Sequence, residues 1–197
     1  MLTNSEAGQV DIIELVSDWL PGATRAKQSD VYVFFAGHGL GSEDGKEVYL
    51  FPHNSSPKLL NQTALRRSQL FETIASTQPR SVTVFLDTCY SGSSRNEEVL
   101  LAQRGIVIEP IKQSIPSNFT VFSAAGMKQT AKMLDDAKHG LFSYYLMKGM
   151  EGDADTNKDR KITSGELHKY VLANVSRMQR NQTPELQGDQ SRVLVQW

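Results

Sequence analysis

Two side chains in this sequence have the types and surroundings to do covalent chemistry together. The chain has a single cysteine, Cys89, in "VFLDTCYSG", and four histidines, one of which, His38, stands in "YVFFAGHG". A thiol at its ordinary pKa is only a few per cent thiolate at neutral pH, and an adjacent imidazole can draw off its proton or stabilise the anion. Glycines on both sides of His38 let the backbone turn tightly and approach a substrate. The amides of Gly39 and Cys89 are then placed to hydrogen-bond a developing oxyanion. The opposing reading is bland: a lone cysteine is commonly a small buried hydrophobe, and a lone histidine is commonly structural. The other histidines separate the two. His53 follows Pro52 in a loop, His139 follows the charged run "DDAK", and His168 lies in a helical stretch. Only His38 has the strand–Gly–His–Gly setting.

Two acidic features accompany the pair. Asp87 lies two residues before Cys89, which on a strand is the same face. It reads either as a strand-end aspartate bonded to backbone or as a charge aimed at a ligand. "DTNKDRKITSGE" (155–166) fits the oxygen-donor spacing of an EF-hand loop. Its ligands would be Asp155, Asn157, Asp159, the Lys161 carbonyl, Thr163 and Glu166, which makes Ca2+ the implied ion. Arg160 occupies the sixth position, where glycine normally supplies a positive φ. The same stretch also reads as a polar turn with Asp/Asn caps.

The elements that must carry these residues follow from periodicity. Residues 5–20 read as an amphipathic helix with Ile12, Ile13, Leu15, Val16, Trp19 and Leu20 on its apolar side, ended by Pro21-Gly22. "VYVFFA" (31–36) is a continuous β-branched and aromatic run, expected to be a strand buried on both faces and broken by the glycines that follow. "VYLF" (48–51) is a short strand and 63–76 a helix with Leu65, Leu70, Phe71 and Ile74 inward. "SVTVFL" (81–86) and "FTVFSAA" (119–125) are further strands. Residues 91–118 read mainly as loop, with "EEVLLAQ" helical. Helices are expected over 140–150 and 165–178, and the tail is extended, with a last strand at 193–196. Strands alternating with helices predict an α/β domain with a mostly parallel sheet, which binds ligands at the carboxyl ends of its strands.

Bulk properties exclude several function classes. The 197 residues suffice for one domain. Lys plus Arg number 21 against 22 Asp plus Glu, a net charge of −1, which favours neither nucleic acid nor an anionic membrane as partner. One cysteine forms no internal disulfide, so no oxidising compartment is required. No apolar run approaches a membrane span and the start has no signal-peptide character, so a cytoplasmic location is expected.

Taken together, these segments resemble the caspase-like cysteine peptidases (peptidase C14), and most closely their bacterial metacaspase-like branch. "YVFFAGHG" looks like the family's strand ending in the catalytic His-Gly, and "VFLDTCYSG" like its Asp-x-Cys-x-Ser-Gly nucleophile strand. The histidine lies 51 residues upstream of the cysteine, against about 50 in caspases. "VYLFPHN", "FTVFSAAGMKQTA", "HGLFSYYLMKGMEGDADTNKDRKITSGELHKYV" and "NQTPELQGD" extend the likeness over most of the chain. The resemblance implies an α/β/α sandwich and a cysteine endopeptidase acting on protein or peptide substrates. Cys89 would be its nucleophile and His38 its proton carrier, with the Gly39 and Cys89 amides as oxyanion hole. Asp87 would floor the S1 pocket, with Ser123 and Gln129 lining it, and select Arg or Lys at P1. Relatives usually carry a second acidic residue in the segment where Met127 and Lys128 stand here. The resemblance also implies a single domain over 1–197 that lacks the family's first strand and helix, with an EF-hand-like unit at 153–171 and fused domains as further partners. Arg95 and Arg104 would be self-cleavage sites. The rival expectations are a non-catalytic caspase-like binding module and a calcium-binding regulator.

Overall fold

The computed structural model describes residues 1–42, 46–89, 114–126, 129, 133–134 and 139–197. Among the described residues its centre is a six-stranded sheet in the order β3 (Leu65–Arg66), β2 (Val48–Phe51), β1 (Asp30–Gly41), β4 (Ser81–Cys89), β5 (Phe119–Ser123) and β9 (Glu185–Gly188), and two short pairs stand apart, β6 (Met133–Leu134) with β7 (His139–Gly140) and β8 (Lys161–Thr163) with β10 (Val193–Gln196). The three apolar runs read from sequence form β1 (Asp30–Gly41), β4 (Ser81–Cys89) and β5 (Phe119–Ser123), and these pair in parallel. β2 (Val48–Phe51) returns antiparallel to β1, and β3 (Leu65–Arg66) continues that side. β9 (Glu185–Gly188) closes the other side antiparallel to β5.

The period-2 alternation of β4 divides the core. Val82, Val84 and Leu86 join Val31, Val48, Leu50 and Val121 under α4 (Arg67–Ser76), whose Leu70, Phe71 and Ile74 recur at helical spacing. Phe85 and Phe122 face the other way, against α5 (Leu141–Lys148) and α6 (Ser164–Met178). α6 buries Leu167, Val171 and Val175, four residues apart. Helices on both faces of a mixed sheet whose core, β1, β4 and β5, is parallel make the expected α/β/α sandwich.

Several boundaries differ from the sequence expectation. The first helix is not ended by Pro21-Gly22: α1 (Gln9–Glu14) runs through a π-helical turn (Leu15–Trp19) into α2 (Leu20–Ala23). The wide turn places Pro21 in the first turn of α2, where its missing N–H costs nothing. Only the narrow stripe Ile12, Val16 and Leu20 packs on the core, while Ile13, Leu15 and Trp19 are exposed. The 63–76 segment divides into α3 (Leu60–Thr63), β3 and α4.

β1 is longer than expected and is not buried on both faces. Tyr32 and Phe34 remain 52% and 55% exposed. Among the described residues β2 covers only the His38–Gly41 end of that strand's outer side, so the rest is an edge. β1 also continues through Gly37-His38-Gly39 instead of turning there, because β2 pairs with this part and holds it extended.

Candidate active site

β1 and β4 are aligned residue for residue from Asp30↔Ser81 to His38↔Cys89, so the backbones of His38 and Cys89 are direct neighbours across one strand spacing at the carboxyl edge of the sheet. Both strands reach further than expected: His38 lies inside β1, also opposite Phe51 of β2, and Cys89 is the last residue of β4. His38 is half-buried. Gly39 is buried and opposes Leu50. Arg95, Arg104, Met127 and Lys128 lie outside the described residues.

Asp87 is 1% exposed. It leaves the sheet on the α5 side, where the Ser143 hydroxyl donates to its Oδ2. Gly140, the residue that precedes α5, presses its bare Cα against the carboxylate: a Cβ added there would stand 3.0 Å from Cγ and 3.2 Å from Oδ1, with Oδ2 nearer still. A helix N-terminus offers unpaired N–H groups and a partial positive charge, which suits a buried carboxylate. Neither Ser143 nor Gly140 was evident as a partner of Asp87, since they lie more than fifty residues away in sequence.

Ser123 ends β5, opposite Leu86 on one side and Glu185 on the other. Gln129 makes a clamp. Its Oε1 accepts from the Gly126 N–H at 3.2 Å and the Thr183 N–H at 2.7 Å, and its Nε2 donates to Thr183 Oγ1 at 3.1 Å. Gln182, fully buried, donates Nε2 to the Ala124 carbonyl at 3.0 Å. The turn after β5 is thereby fastened to the chain entering β9. Sequence reading missed Glu185, Gln182 and Thr183 at this edge. The signal available was the segment "NQTPELQGD", whose family likeness assigned none of these three a place at the site.

The 155–166 loop is separate from this edge. Asp155 accepts from the amides of Asp159 (3.2 Å) and Arg160 (3.0 Å), and Asn157 from that of Asp159 (2.8 Å). Asp159 accepts from the Lys161 amide (2.9 Å). Thr163 and Glu166 form a reciprocal capping box on α6. Arg160 adopts the positive φ of 64° that the template gives to glycine. Among the described residues, no group of three or more His, Cys, Asp or Glu side chains is arranged to hold a metal ion. The donors predicted from spacing thus satisfy the loop's own amides and the start of α6. Among the described residues no helix is long and apolar enough to cross a membrane.

The family model for the caspase domain, Peptidase_C14, matches residues 6–195. A crystal structure of protein GSU0716 from Geobacter sulfurreducens is similar over 94% of this chain and 75% of that one, with a TM-score of 0.61 and 17% identity, a likeness of fold alone. No curated protein matches the sequence.

Proposed function

We propose, because this chain belongs to the caspase-domain family Peptidase_C14, that it is a cysteine endopeptidase working through Cys89 and His38 and cutting after Arg or Lys. The observation that carries this reading is the His38↔Cys89 pairing at the carboxyl edge of the sheet, where α/β folds bind ligands.

In this reading His38 takes the thiol proton and the Cys89 thiolate attacks the scissile carbonyl carbon. The Gly39 and Cys89 amides receive the resulting oxyanion. The C–N bond breaks as His38 returns its proton to the departing amine, leaving a thioester. Water, deprotonated by His38, then releases the carboxylic acid product and regenerates the thiol. Ser123 and Gln129 line the pocket beside the peptide. Asp87 gives that end of the sheet a fixed negative charge, which favours a basic P1 side chain over an acidic one. Proteins or peptides are the substrates. Calcium takes no part in these steps. A structural ion at 155–166 is a separate proposal, in which Asp155, Asn157, Asp159 and Glu166 use lone pairs not engaged by the loop amides, and a rise in Tm on adding calcium tests it.

The test is hydrolysis of matched fluorogenic peptides with P1 Arg, Lys or Asp by the wild type, Cys89→Ala and His38→Ala. Cleavage after Arg and Lys that disappears in both variants, with the fold intact by circular dichroism, is the expected result. Cleavage after Asp overturns the pocket reading. No cleavage by a folded wild type transfers belief to a non-catalytic binding module.

A further inference from the structure

β9 runs opposite to β5, so its first residue, Glu185, lies at the same edge as the carboxyl ends of β1, β4 and β5. It is exposed, and no described residue forms an ion pair with it. Its carboxylate rests on Gly126, where a Cβ would stand 3.0 Å from Oε1. A bare Cα at that point leaves room for the acid. The platform beneath is braced by the side chains of Gln129 and the fully buried Gln182. Glutamate is a poor strand former, and among the described residues this one has no partner to reward its position. A braced, solvent-facing charge that no described residue compensates is thus better placed to meet a ligand than to stabilise the fold. Asp87, another carboxylate at this edge, is enclosed by Ser143 and Gly140 and offers no open face in this arrangement. Glu185 lies opposite Ser123 and Ser123 opposite Leu86, three residues short of Cys89, so its backbone is two strand spacings across and three residues along from the nucleophile, roughly 14 Å. An extended arginine side chain, a hydrogen bond and the glutamate side chain together span that distance.

We infer that Glu185 is a specificity-determining residue, the exposed carboxylate that receives the guanidinium or ammonium group of the P1 residue. This rests on the peptidase reading above. Asp87 supplies background negative potential, and Glu185 makes the direct contact. Arginine is preferred over lysine, because its planar fork matches a carboxylate with two parallel bonds.

The experiment compares kcat/KM of the wild type, Glu185→Gln and Glu185→Lys on peptides differing only at P1: Arg, Lys and Gln. The expected result is a loss of about 10–100-fold on P1 Arg for Glu185→Gln, a deeper loss for Glu185→Lys, and little change on P1 Gln. Thermal stability stays at the wild-type value, since the side chain is exposed. Equal activity of Glu185→Gln and wild type on P1 Arg overturns the assignment, as does an equal loss on all three peptides, which marks a structural role. Alkylation of Cys89 by iodoacetamide separates the two levels. If the wild type cleaves no peptide and its thiol reacts no faster than in the denatured chain, the peptidase reading itself falls and this assignment with it.

Discussion

Gly140→Ala tests whether the buried carboxylate beside the nucleophile strand is held as described. The backbone at Gly140, φ −59° and ψ 139°, is ordinary for alanine. By chain entropy alone the substitution would stabilise the protein by about 0.4–1 kcal/mol. The new Cβ, however, would stand 3.0 Å from Asp87 Cγ and 3.2 Å from Oδ1, closer than ordinary van der Waals contact, with Oδ2 nearer again. Asp87 is 1% exposed, so its carboxylate has no solvent to swing into. Moving it breaks the bond from Ser143, a hydrogen bond to a charged group worth about 1.5–3 kcal/mol. Overpacking adds about 1–3 kcal/mol. The net expectation is a loss of about 2–5 kcal/mol. At about 2–4 °C per kcal/mol for a chain of this size, Tm falls by roughly 10 °C. Thermal and urea unfolding followed by circular dichroism measure it. The double variant Gly140→Ala/Asp87→Ala completes the cycle: with the carboxylate gone, the alanine at 140 costs little, and the two effects are strongly non-additive. A Gly140→Ala protein melting within about 2 °C of wild type refutes the packing described here.

Three further outcomes are expected. The Arg80 hydrogen bond, helped by Ser81 and by the charge of Arg80, holds the Asp30 carboxyl down at about 2. A depressed carboxyl contributes stability above its unfolded value, near 3.9, and that contribution is lost as pH falls through about 2. Because the pair is largely solvent-screened, Asp30→Asn should cost under about 1 kcal/mol at pH 7 and a small fraction of that near pH 2; urea midpoints at both pH values decide it, and an unchanged difference contradicts the assignment. Thr120 buries its hydroxyl without a hydrogen-bond partner among the described residues, so Thr120→Val should be neutral or stabilising by about 1 kcal/mol, and a clear loss in urea unfolding would show that the hydroxyl has a partner. Arg160 holds φ at 64°, so Arg160→Gly should raise stability by about 0.5–1 kcal/mol, against which a lowered urea midpoint would count.

Much of the frame was legible locally. Runs such as "VYVFFA" and "SVTVFL" are strands because β-branched and aromatic side chains suit a pleated surface, and the helix-rich spacing between them requires parallel crossovers. α6 was legible to within a residue from the four-residue recurrence of Leu167, Val171 and Val175. The continuation of β1 past Gly37 was not, because glycines read as a break unless a partner strand holds them extended, and that partner is β2. Burial of Tyr32 and Phe34 was expected from their apolarity, yet exposure depends on what lies beside the strand. The helix was expected to stop at Pro21, where a π-helical turn instead shifts the register just ahead of the proline.

The same division holds at the site. By itself the sequence determined which groups are available for chemistry, a single thiol, one histidine between glycines and an aspartate two residues ahead of the thiol, because residue identity and short spacing are local properties. Only the tertiary structure decided the pairing of His38 with Cys89, the enclosure of Asp87 by Ser143 and Gly140, and the arrival of Glu185 at the same edge. Those relations join residues about fifty or more positions apart, and strand direction and register, set by hydrogen bonding across the whole sheet, are what bring them together.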